Sequence, residues 1–175
     1  MARTVDYFCF GSNLDPYVLN AERGIKPYST QCCYAKDYRL TFNIKGSFLE
    51  PSFANIIPAE DNKVWGVCHT LRKQDFKHLQ KTEGAKYDLH DVDVVFEDGS
   101  IRTVRTLADY ANDNLSQPPS KRYMNLMLTG AKHYHLPQEH IDQLQRIKPF
   151  HIPVVSNLFT LGLKIFKPVK FRLST

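Results

Sequence analysis

Three small residues, Gly11-Ser12-Asn13, follow directly on the apolar run Tyr7-Phe8-Cys9-Phe10 and precede Leu14-Asp15-Pro16. A strand that ends in such a loop and runs into a helix can aim successive backbone N–H groups into one concavity, with the positive helix end behind them. A cradle of that kind suits a carboxylate, or an oxygen on which negative charge develops. The plainer reading is a turn that ends the strand. A second stretch, Lys81-Thr82-Glu83-Gly84-Ala85-Lys86-Tyr87, sets a carboxylate at the end of a short helix, just before a glycine. The negative end of a helix dipole is an unfavourable place for a carboxylate, and such a setting suits a general base that works near neutrality. The plainer reading here is a solvent-facing Glu83 beside a glycine cap.

The remaining reactive side chains are dispersed. The seven histidines include no HExxH or comparable spacing, so neither a metal site nor a cofactor is expected. Of the four cysteines, Cys32 and Cys33 are adjacent while Cys9 and Cys68 sit inside apolar runs, so no CxxC pair exists. Free thiols in a reducing cytoplasm are the reading. A formal net charge of +5 is mildly basic, but the Lys and Arg residues are scattered, which describes a solvated surface rather than a nucleic-acid footprint. The N-terminal residues lack the apolar core of a signal peptide, and no run approaches the ~18 apolar residues of a membrane span.

These residues need elements to position them. A chain of 175 residues is long enough for one domain with a sizeable core. Residues 5 to 10 alternate as a strand buried on both faces, and Asp15-Pro16 can start a short helix through about Arg23. Residues 31 to 44 should be extended. "SFANIIP" and "KVWGVCHTL" read as two strands joined by a turn at "AEDN". "KQDFKHLQK" should be a helix that ends near Gly84. "DVDVVF" and "IRTVRTL" flank Asp98-Gly99, a hairpin signal. Ser120 can cap a helix that buries Tyr123, Met124, Met127, Leu128 and Ala131, and Pro137 opens another with Ile141, Leu144 and Ile147 on one face. Strands come mostly first and helices later, so the class is α+β.

Four segments, "YFCFGSNL", "FANIIPAEDNKVWGVCHTL", "TEGAKY" and "PPSKRYMNLMLTGAKHYHLPQEHIDQLQRI", resemble in order and spacing the γ-glutamylcyclotransferase family, AIG2-like proteins included. The resemblance spans roughly residues 5 to 149. It implies a small mixed β-barrel with peripheral helices over residues 1–150, and leaves 151–175 as an extension packed on the domain or on a partner. It also implies a cytoplasmic carbon–nitrogen lyase of glutathione metabolism that acts without cofactor on a γ-glutamyl amide and releases 5-oxoproline and an amine or amino acid. By the same resemblance, Glu83 falls on the catalytic acid/base position. Phe10, Gly11, Ser12, Asn13 and Leu14 form the substrate loop, and Tyr87 and Tyr123 line the pocket. A homodimer is the one protein assembly expected.

The chain departs from the family pattern at several points. Phe10 stands where the usual residue is Tyr, Leu107 stands where another tyrosine is expected, and the segment from Glu83 to Tyr87 is short. A small-molecule binding module of the same fold without turnover is therefore one alternative, and a peripheral basic binder of membrane or nucleic acid, resting on charge and the tail, is the other. The tail from Pro153 mixes apolar residues with Lys164, Lys167, Lys170 and Arg172, which reads as a packed arm or as a basic segment on an anionic membrane. Gly162 and Pro168 argue against a sustained helix there and favour packing.

Overall fold

The computed structural model describes residues 3–112 and 114–150. Five strands, β1 (Thr4–Cys9), β2 (Ser29–Lys45), β3 (Ser52–Arg72), β4 (Asp88–Phe96) and β5 (Ile101–Ala108), close into a barrel in the order β1-β3-β2-β4-β5. All pairings are antiparallel except β1 with β5, where Tyr7 meets Arg105 in parallel. Among the described residues three α-helices accompany the barrel: α1 (Lys73–Glu83), α2 (Lys121–His133) and α3 (Gln138–Arg146). This is the mixed barrel with peripheral helices that the resemblance implied. A barrel this small is filled by side chains; Phe8 and Val64 share one face of the sheet while Val67 and Leu71 lie on the other, and all four are essentially without exposure, so both faces are buried here.

The long strands depart from the sequence reading. The segment "AEDN" is no turn; β3 runs unbroken through it and pairs with β2 along nearly its whole length. The pairing slips between Lys36↔Lys63 and Tyr38↔Pro58, and this irregularity absorbs the turn-prone residues. Asp37 and Asp61 take positive φ there, of 62° and 59°, and the Asp61 N–H donates to Asp37 Oδ1. Such a bulge bends and twists a strand pair, which is what two strands of 17 and 21 residues need in order to wrap a closed barrel. A second irregularity lies between Thr41↔Asn55 and Ile44↔Phe53, so Ala54 sits where the ladder is interrupted.

The helices begin and end on local chemistry. Ser120 Oγ accepts from the Tyr123 N–H at 3.0 Å and caps α2, and Gly84 at φ 69° ends α1. Tyr123, Met124, Met127 and Ala131 are buried on α2, with Leu128 partly so, and Ile141 and Leu144 are buried on α3. Asp98-Gly99 makes the β4–β5 hairpin, with Gly99 at φ 80°. All four cysteines are unpaired. No described helix is long and apolar enough to cross a membrane. The expectations for the tail lie outside the described residues, whose last residue, Phe150, bridges to Ser120.

Candidate active site

The loop after β1 is a single 3₁₀ turn, Ser12–Leu14, closed by Leu14 N–H to the Gly11 carbonyl at 3.0 Å and Asp15 N–H to the Ser12 carbonyl at 3.1 Å. Its seat is α2. A Cβ at Gly130 would lie 2.3 Å from the Leu14 carbonyl, so only glycine lets the helix come this near the loop backbone. Leu14 is accordingly fully buried beneath the helix and is not on the pocket wall. Within the loop it serves as the anchor rather than as a wall residue. The turn consumes the N–H groups of Leu14 and Asp15, and those of Ser12 and Asn13 carry no backbone acceptor among the described residues.

Past the loop the chain winds one wide turn, Tyr17–Glu22, with Arg23 N–H reaching back five residues to the Val18 carbonyl at 3.1 Å. Asp15 Oδ1 accepts from the Tyr17 N–H at 2.8 Å, the capping role its position before Pro16 suggests. π-type turns of this kind recur at functional sites, and here the turn delivers Arg23 to the end of α1.

Glu83 is the last residue of α1, which is fastened to the core by buried Phe76 and Leu79. Its Oε1 accepts from Arg23 Nη2 at 2.5 Å and from Asn13 Nδ2 at 2.9 Å. Arg23 also donates to Thr82 Oγ1, which in turn donates to the Leu79 carbonyl at 2.8 Å. The guanidinium supplies positive charge where the helix end supplies negative potential. A carboxylate can only accept, so the Asn13 amide nitrogen must face Glu83. That leaves Asn13 Oδ1 buried and without a partner among the described residues.

Two tyrosines complete the wall through one backbone unit. Ala54, in the interrupted part of the β2–β3 ladder, donates its N–H to Tyr123 Oη at 3.2 Å, and its carbonyl accepts from Tyr87 Oη at 3.0 Å. Burial pushes the Tyr123 hydroxyl well above its ordinary pKa, opposed in part by the Ala54 and Ser12 N–H groups. Burial likewise raises Tyr87, reinforced by Tyr123 and Glu83, and Tyr7, reinforced by Cys9 and Glu83. Cys9, beside the loop, is pushed up to about 12 by burial. These groups hold their protons at neutral pH.

Tyr7, Phe10, Gly11, Ser12, Asn13, Ala54, Glu83, Tyr87, Leu107 and Tyr123 line one pocket. The structure thus brings together every site residue expected from the sequence except Leu14. Glu83 is the one carboxyl group among these lining residues, and Phe10 and Leu107 make the wall less polar than tyrosines would. Tyr7, Ala54 and Arg23 were missed. Tyr7 reads as an ordinary buried strand residue, and nothing local marks Arg23, whose partner lies 60 positions away.

A profile of the AIG2-like family matches residues 63–144. The mouse γ-glutamylcyclotransferase is 32% identical in an alignment of 153 positions that covers 82% of this chain and 78% of that protein. A crystal structure of an uncharacterized human protein superposes with a TM-score of 0.78 at 26% identity, covering 93% of this chain and 99% of that one. A solved γ-glutamyl cyclotransferase superposes with a TM-score of 0.76 at 25% identity, covering 92% and 99%.

Proposed function

The chain belongs to the γ-glutamylcyclotransferase family and is an enzyme of that type, and from this premise we propose how its own residues carry the reaction. The substrate is a γ-glutamyl amide, which contains its own nucleophile: the α-amine stands one five-membered ring away from the γ-carbonyl. The pocket folds the glutamyl part so that nitrogen and carbonyl carbon come within about 3–3.5 Å. The new C–N bond closes the ring, the old one breaks, and 5-oxoproline and a free amine leave. The reaction is that of a carbon–nitrogen lyase.

Glu83 moves the proton. A free α-amine has a pKa near 8, so the substrate arrives mostly as an ammonium. The ammonium first gives up one proton to solvent; the carboxylate then takes the second proton as the amine attacks and delivers it to the departing nitrogen, a service worth about 10²–10⁴-fold. Arg23 and Asn13 hold Oε1, which orients the group before substrate arrives. Asn13 Oδ1 is an acceptor for the substrate ammonium. Tyr123 already accepts from backbone N–H groups, so its own proton is left for the oxygen of the γ-carbonyl as charge develops there.

The observation that carries this reading is the position of Glu83 beside the loop, among hydroxyl groups that stay protonated. A binding module without turnover, suggested by Phe10 and Leu107, would have no need of a carboxylate held there. Four unpaired cysteines support the reducing cytoplasm as the place of work. The test is substrate chemistry. γ-Glutamyl-alanine should yield 5-oxoproline, and its Nα-acetyl derivative, which lacks the nucleophile, should yield no free alanine. Comparable alanine release from both compounds would point to hydrolysis and overturn intramolecular attack.

A further inference from the structure

Beside the glutamyl pocket lies a wider cleft. The two share Ser12, Glu83, Tyr87 and Tyr123, so Glu83 stands on the ridge between them. A γ-glutamyl amide whose scissile bond lies at Glu83, with its glutamyl half in the small pocket, sends its other half into this cleft. What the cleft is made of therefore decides which amine is released.

Its walls are apolar on one side and charged on the other, where Glu22 and Glu83 stand among Arg23, Lys86 and Arg122. Val18, Phe53 and Leu126 make an apolar side. The Phe53 ring meets Tyr123 edge-on at 5.3 Å between centroids, so the apolar side continues the wall of the reaction pocket. Cations stand around it: Arg122 is held by Glu50 at 2.5 Å and Arg23 by Glu83 at 2.5 Å, while the Lys86 ammonium lies over the Phe53 ring at 4.6 Å. A cation resting on an aromatic face keeps its open side for an anion.

We propose that this cleft is the leaving-group subsite and that it selects γ-glutamyl amides of amino acids with large apolar side chains. The side chain packs on Phe53 and Leu126, and the carboxylate meets Lys86. The proposal rests on the cyclisation reading above, and it adds both a position and a preference. A small leaving group such as alanine leaves the apolar side wet. A simple amine of the same bulk forgoes the contact with Lys86.

The experiment compares kcat/KM for γ-glutamyl-phenylalanine, γ-glutamyl-alanine and γ-glutamyl-phenethylamide, each followed by 5-oxoproline release. The phenylalanine compound should exceed the alanine compound by about tenfold, the low end for added apolar contact in a site. It should exceed the phenethylamide by about threefold, in keeping with a solvent-screened ion pair. Leu126→Ala should shrink the first ratio and Lys86→Gln the second. An alanine compound as fast as the phenylalanine one, or ratios that neither substitution changes, would overturn the subsite and leave cyclisation standing. No 5-oxoproline from any of the three would overturn both.

Discussion

The Arg23 guanidinium lies 2.5 Å from the Glu83 carboxylate, joining the wide turn after the loop to the end of α1 across 60 positions of sequence. Both side chains are mostly buried, at 16% and 18% exposure. Arg23 bonds Glu83 and Thr82 together, which a single ammonium cannot reproduce with the same fork. Arg23→Met should lower kcat at least tenfold with a smaller change in KM, and cost about 1.5–3 kcal/mol of stability. Arg23→Lys should retain more of both. Steady-state kinetics with urea unfolding checks this, and a Met variant with the parent's kcat would remove Arg23 from the positioning of Glu83.

Tyr123 and Tyr87 hold opposite polar groups of Ala54, and their hydroxyls should differ in consequence. Tyr123→Phe leaves the Ala54 N–H without its acceptor, at about 1–3 kcal/mol, and removes the donor to the developing oxyanion, at about 10²–10³-fold in kcat. Tyr87→Phe should cost about 1 kcal/mol and much less activity. Equal kinetic losses in the two variants would contradict the role given to Tyr123.

Gly130 carries the loop. An alanine Cβ there would sit 2.3 Å from the Leu14 carbonyl, so either α2 or the loop must shift. Gly130→Ala should cost about 1–3 kcal/mol as overpacking. It should also depress kcat/KM at temperatures where the protein remains folded, because Leu14 is adjacent to Asn13. Circular dichroism melts alongside kinetics separate the two effects.

Much of this architecture was legible in local sequence. The alternation of residues 5 to 10, Asp98-Gly99 in its hairpin, Ser120 at the start of α2 and Gly84 at the end of α1 each act within a few residues, and each took the expected form. "AEDN" misled because its residue types favour a turn, whereas it forms an unpaired bulge in β3, held extended by the β2 pairing of the residues on either side of it. The site divided along the same line. Glu83 and the loop stood out through their neighbours and through the family resemblance. Arg23 and Tyr7 owe their places to contacts made only in the closed barrel, and Leu14 owes its burial to a glycine more than 100 positions away.

Acid should weaken the fold in a definite window. His69 and His140 are buried, and burial pushes both down from 6.5 to about 4, outweighing the neighbouring Asn13 backbone and the Gln143 side chain respectively. Between those values the unfolded chain binds more protons than the folded one, so stability rises with pH. The contribution is whole above pH 6.5 and drains away as pH falls toward 4, at a cost of order 3 kcal/mol for each histidine. Urea midpoints measured from pH 7.5 to 4.5 should fall across this window, and His140→Gln should flatten part of the slope. A parent profile level from 7.5 to 4.5 would contradict buried neutral histidines.

The most direct measurement is the rate of 5-oxoproline formation from a γ-glutamyl dipeptide by the parent and by Glu83→Gln. The glutamine side chain keeps the size and can still accept from Arg23, but it cannot take up the substrate's proton. We expect a loss of about 10²–10⁴-fold with an unchanged circular dichroism spectrum. A folded Glu83→Gln variant that matches the parent's rate would contradict the assignment of Glu83 as the group that moves the proton.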